Sequence, residues 1–145
     1  MTDLLLLPPA LGVLGMVVAI IIYMIVKTYD PGSEALKKIA DAIHEGAMVF
    51  MKREYTQLAI FALVLVVAIY FSLGSSTAIA FLAGALSSAC AGWFGMYTAT
   101  QANVRTTNAA HTDGQASALS VAFFGGSIMG LAVASLGLIG LGSVY

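Results

Sequence analysis

Charge is what this sequence of 145 residues has least of: 9% of its residues are charged, against roughly 25% in an average soluble domain, while 60% are hydrophobic. A chain this poor in charge is solvated by lipid rather than by water. The single cysteine, Cys90, sits inside an apolar run, so this chain alone builds neither a disulfide framework nor a cysteine metal site. Six cations face seven acids, and they cluster in residues 27–54, which leaves no basic surface for nucleic acid. Met1-Thr2-Asp3 lacks the basic start of a secretory signal, and the apolar run from Leu4 to Val26 is too long for one; it reads as a retained anchor.

The parts of several chemistries are missing as well. His44-Glu45-Gly46-Ala47-Met48 begins like a zinc-protease helix, but Met48 stands where the second histidine is required. There is no glycine-rich phosphate loop ending in lysine, and no Gly-x-Ser-x-Gly elbow for a serine nucleophile. No carboxylate falls inside an apolar span, which argues against a rotor-ring proteolipid or a small proton-coupled exporter, since ion paths keep such costly groups. His111 reads as a solvated loop residue.

What is present is a succession of apolar helices. Residues 4–26 carry no charge, and even with Pro8 and Pro9 in the first turn the remainder reaches about 27 Å, close to the hydrocarbon thickness. Asp30-Pro31-Gly32-Ser33 then breaks the chain. From Glu34 the pattern becomes amphipathic, with Leu36, Ile39, Ala40, Ile43, Ala47 and Phe50 on one face and a Glu34/Lys38 pair on the other. No turn signal precedes residue 74, so this helix is expected to run into the membrane and end at 73. A loop at Gly74-Ser75-Ser76-Thr77 leads to a third helix over residues 78–102, and a polar link, residues 106–114, leads to a fourth over 115–142. Thr112 and Gln115 have capping-box spacing, which predicts a start near Asp113. The expectation is an all-α polytopic membrane protein, one membrane domain over residues 1–145 with four spans.

Lys27, Lys37, Lys38, Lys52, Arg53 and Arg105 all border the first and third connections, while the second connection and the termini carry no cation. Both termini are therefore expected outside, with Tyr145 at the far interface. Arg53, Glu54, Asn103 and Arg105 are the polar residues nearest the spans; they are expected as interfacial anchors, or as a network supporting a site built by other helices. Small residues recur every four positions on the third helix (Ala80, Gly84, Ser88, Gly92) and the fourth (Ala118, Ala122, Gly126, Gly130, Ala134), which predicts close packing against other protein, with Gly92 and Gly126 setting the contact between these two helices. Phe61, Leu65 and Ile69 of the second helix read as lipid-facing.

Two stretches together resemble a known family. Glu45-Gly46-Ala47, Phe50 and Arg53-Glu54-Tyr55 resemble the segment ahead of the second helix in the membrane-bound, ion-pumping inorganic pyrophosphatases. Gly95-Met96, Ala99 and Ala102-Asn103-Val104-Arg105-Thr106 resemble the exit of that family's third helix. The resemblance implies sixteen-helix homodimers in which an inner ring of helices holds pyrophosphate, magnesium and the ion gate, and an outer ring, including the first four helices, surrounds it. It implies that hydrolysis of magnesium pyrophosphate drives protons or sodium outward. The family's aspartate-rich substrate segment has no counterpart among the seven acidic residues here. The resemblance is thus to an N-terminal portion: no catalytic, cofactor-binding or metal-binding residue carries over, this chain alone is expected to bind no cofactor, and magnesium belongs to the complete protein. Its partners would be the lipid bilayer, the remaining helices of the pump and a second copy of the complete protein. A stand-alone four-helix scaffold without catalysis is the alternative that composition leaves open.

Overall fold

The structure, a computed structural model, describes residues 7–144, with side chains to Gly142. The expectations for residues 4–6 and Tyr145 lie outside the described residues. Four helices account for nearly all of it: α1 (Leu7–Thr28), α2 (Glu34–Leu73), α3 (Ser75–Thr112) and α4 (Gln115–Val144), with no strand among the described residues. Each is long and apolar enough to cross a membrane.

The turns follow local chemistry. After α1, the Asp30 carboxylate accepts from the Gly32 amide at 2.9 Å, and Gly32 takes φ +89°. Ser33 then caps α2, its hydroxyl accepting from the Leu36 amide at 3.4 Å. The ion pair in that first turn joins Lys37 to Glu34 at 2.9 Å, not Lys38; the neighbouring carboxylate raises the Lys37 pKa, so its small exposed contribution holds at neutral pH and is lost as pH rises past that raised value. Gly74, at φ +89°, alone forms the turn between α2 and α3, shorter than the four-residue loop expected.

The third helix differs most from expectation, extending ten residues beyond 102. Its Thr and Asn residues have the composition of a loop. In the fold, however, the hydroxyls of Thr106, Thr107 and Thr112 donate to the carbonyls of Ala102, Asn103 and Asn108, satisfying themselves without breaking the helix. Thr112 therefore ends α3 and does not cap α4. The short turn into α4 instead uses Gly114 at φ +86°.

The core is shared by three helices. Ala19 and Val26 of α1, Ala102 of α3 and Ile128 of α4 are buried together, with Tyr23, Phe124 and Leu131 against them. α4 lies between α1 and α3, whereas α2 packs principally on α3. The most apolar 18-residue stretch of α2 has no buried residue within this chain. The large hydrophobic side chains left outside, Phe61, Val64 and Phe71 among them, suit a lipid solvent.

Small residues set the α3–α4 approach, but not on the expected stripe. A Cβ on Gly125 would stand 2.5 Å from the Cβ of Ala102, whereas Gly84, Gly126 and Gly130 have open space around the same point. Gly92 faces the Tyr55 hydroxyl of α2, 2.6 Å from where its Cβ would be, rather than α4. The contact is thus one residue, roughly 100° of helix, away from the repeat of four on α4. Gly84, Ser88 and Gly92 instead line, with Val133 and Gly137, an outward-facing groove of about 610 Å³ between the two helices. Gly125→Leu should cost about 2 kcal/mol by overpacking, while Gly126→Leu should stay within about 0.5 kcal/mol. Thermal unfolding in one detergent compares them directly.

Candidate functional site

The polar residues that the fold brings together lie where α1 ends. On α3, Gly95, Thr98, Ala102, Arg105 and Ala109 recur at spacings of three and four and are all buried, so one face of the helix carries a cation into the bundle. Arg105 is only 8% exposed. Its Nε donates to the Tyr29 carbonyl at 3.1 Å, and Nη1 donates to the Gln101 carbonyl at 2.7 Å and to Gln101 Oε1 at 3.3 Å. No carboxylate pairs with it among the described residues. The Tyr29 carbonyl, one residue past the end of α1, takes that place at the negative end of the α1 dipole.

One turn further along α3, Asn108 completes the arrangement. Its Nδ2 donates to the Asp30 carbonyl at 3.1 Å, and its Oδ1 lies 2.5 Å from where a Cβ on Gly32 would project. Two side chains of α3 therefore hold consecutive carbonyls of the α1–α2 connection, and only glycine fits under them. We call this the clasp.

A second group fastens α2 to α3. His44 Nδ1 lies 2.7 Å from the Thr100 hydroxyl, and its ring meets Tyr97 edge-on at 5.2 Å; Trp93 stacks on Tyr97 at 5.4 Å. The Thr100 hydroxyl also donates to the Tyr97 carbonyl at 2.9 Å. Further along, Tyr55 donates to the Ala89 carbonyl at 2.7 Å, above the bare backbone of Gly92. Tyr55→Phe should cost about 1 kcal/mol, and a chemical denaturation series in mixed micelles reads that loss.

The four polar residues singled out in the sequence are not brought together. Arg105 is buried in the clasp rather than exposed at an interface. Arg53 and Glu54 are exposed on α2, and their side chains make no hydrogen bond or ion pair among the described residues. Asn103 is exposed on α3 beside Val104. Sequence reasoning missed Asn108, His44 and Thr100. Asn108 is three residues after Arg105, a signal usable only if α3 is carried past residue 106. The packed face of α2 contains Ala40, His44, Ala47, Met51 and Tyr55, whereas Ile39, Ile43 and Phe50 of the expected apolar face are exposed.

These side chains fasten helices to one another, and the Thr100 hydroxyl beside His44 belongs to the α2–α3 contact. Among the described residues no three His, Cys, Asp or Glu residues meet where a metal could sit, so the magnesium implied by the family resemblance finds no such donor set there.

A four-span helical membrane bundle that fixes its first connection with a buried arginine is thus the class of protein the fold defines. The profile for inorganic H+ pyrophosphatase matches residues 13–145, and the chain belongs to that family. It is 41% identical over 139 residues to the K(+)-insensitive pyrophosphate-energized proton pump of Methanosarcina mazei, an alignment covering 94% of this chain and 21% of that protein. The putative K(+)-stimulated pyrophosphate-energized sodium pump of Clostridium tetani is 41% identical over 121 residues, covering 83% and 18%. The corresponding sodium pump of Thermotoga maritima is 44% identical over 117 residues, covering 79% and 16%. The chain spans about one fifth of the length of these relatives.

Proposed function

We propose that these four helices form the N-terminal membrane portion of a pyrophosphate-energised ion pump, a wall that supports hydrolysis and ion transport performed by later helices. The observation that carries this reading is the match across residues 13–145 to a pyrophosphatase family, in a chain that clusters no metal-binding side chains among its described residues. The proton pump of M. mazei and the sodium pump of T. maritima resemble the chain to a similar degree, 41% and 44%. That similarity supports a common framework role rather than ion selection.

In this reading the clasp fixes the angle between α1 and the long α2–α3 pair. Lys37, Lys38, Lys52 and Arg53 lie on the cytoplasmic side, both termini outside, and pyrophosphate is hydrolysed on the cytoplasmic side with ions moved outward. Magnesium and the homodimer belong to the complete protein, and the partner in the membrane is the pump's remaining helices.

The test replaces the aligned fifth of the M. mazei pump with this chain. The chimera should hydrolyse pyrophosphate in a magnesium-dependent manner, and the 145-residue chain alone should not. Phosphate release by the chain alone would overturn the assignment.

A further inference from the structure

We infer that one face of α2, running through Ile39, Ile43, Gly46 and Phe50, is the docking surface for a second long helix that crosses the lipid–water boundary beside it. The inference rests on the proposed function and names where the rest of the pump attaches. At 3.6 residues per turn these four positions fall within a sector of about 60°, roughly 120° round the helix from the face that packs on α3. Ile39, Ile43 and Phe50 are each about half exposed or more, and nothing lies within 4 Å of the point where a Gly46 Cβ would project. An exposed glycine between large apolar residues gives a neighbouring backbone room for close approach.

The surroundings decide the occupant. The first half of α2 carries Lys37, Lys38, Asp41, Glu45, Lys52 and Arg53, so lipid does not surround it, and the apolar stripe there faces water unless protein covers it. The same sector continues through Phe61 and Val64, both exposed, in the half that lies in lipid. A lipid chain could cover the second half alone. Only a protein helix that likewise passes from lipid into water covers both on one azimuth. Beside the stripe, Leu36, Ile39 and Ile43 with Asn103 and Val104 of α3 line a groove of about 90 Å³, which accepts one aliphatic side chain from that partner. The four fifths of the relatives' length that this chain does not span is the source of such a helix.

Site-directed labelling tests the surface. In a Cys90→Ala background, Ile43→Cys and, as a control, Lys38→Cys are exposed to a membrane-impermeant maleimide in two settings: the 145-residue chain alone in vesicles, and the chimeric M. mazei pump. Ile43→Cys should react about tenfold more slowly in the chimera, while Lys38→Cys reacts equally in both. Phe50→Cys serves if Ile43→Cys is not recovered. Equal rates at Ile43→Cys overturn the inference. So does protection in the chain alone, whether it is independent of protein density, which makes lipid the occupant, or grows with density, which makes it a second copy. Hydrolysis read on the same samples separates the two ideas: an active chimera with an unprotected Ile43→Cys keeps the proposed function and removes this surface.

Discussion

Arg105→Ala is expected to destabilise the bundle by about 3 kcal/mol, among the largest single-residue effects in the chain. The guanidinium is nearly buried and makes three hydrogen bonds, two of them to the carbonyls of Tyr29 and Gln101. Hydrogen bonds from a charged donor contribute about 1.5 to 3 kcal/mol each, but the end of α1 admits some water after truncation, so the sum is discounted. The charge also opposes the negative end of the α1 dipole. Arg105→Lys keeps that charge yet lacks the planar fork that reaches both carbonyls, so it should recover about half of the loss. Unfolding in mixed micelles should rank wild type, Lys and Ala in that order. If Lys and Ala fell together, the fork geometry would matter more than the dipole.

Gly32→Ala is expected to cost a similar amount, about 3 kcal/mol, for two separable reasons. Its φ of +89° penalises any side chain, and its Cβ would collide with Asn108 Oδ1, forcing Asn108 off the Asp30 carbonyl. Gly74 also has φ +89° but nothing within 4 Å of its Cβ position, so Gly74→Ala should show only backbone strain, about 1 to 2 kcal/mol. In an Asn108→Ala background, Gly32→Ala should lose the collision with Asn108 and keep only the 2.9 Å approach to the flexible Leu36 Cδ1, so its cost should fall most of the way to the Gly74→Ala level. That double-substitution comparison measures the clasp itself.

How much of this was legible in the sequence depends on what enforces each feature. The spans were readable because lipid tolerates only apolar helices there; α1 ends one residue past Lys27, and α2 runs from Glu34 to Leu73 as its pattern predicts. The end of α3 was not, because Thr106, Thr107 and Asn108 have loop composition and tertiary packing on Ala102 and Ala109 decides for helix. Arg105 was visible as a lone cation, but its partners are backbone carbonyls 76 and 78 positions away in the α1–α2 connection for Arg105 and Asn108, and carbonyls have no sequence signature. The glycine at the α3–α4 contact lies one position from the one expected for the same reason: Gly125 and Gly126 are both small, and only the helix phase against Ala102 separates them. The family resemblance escaped these errors, since it rested on residue identities rather than on which face each residue occupies.

The central claim is that these helices serve as the wall of a pyrophosphate-driven pump. Pyrophosphate-dependent ion uptake into vesicles carrying the M. mazei pump with its aligned segment replaced by this chain tests it most directly. Uptake should depend on pyrophosphate and magnesium, and should weaken with Arg105→Ala in step with the loss of folded protein. A chimera that is folded and inserted yet neither hydrolyses pyrophosphate nor accumulates ions would contradict the account.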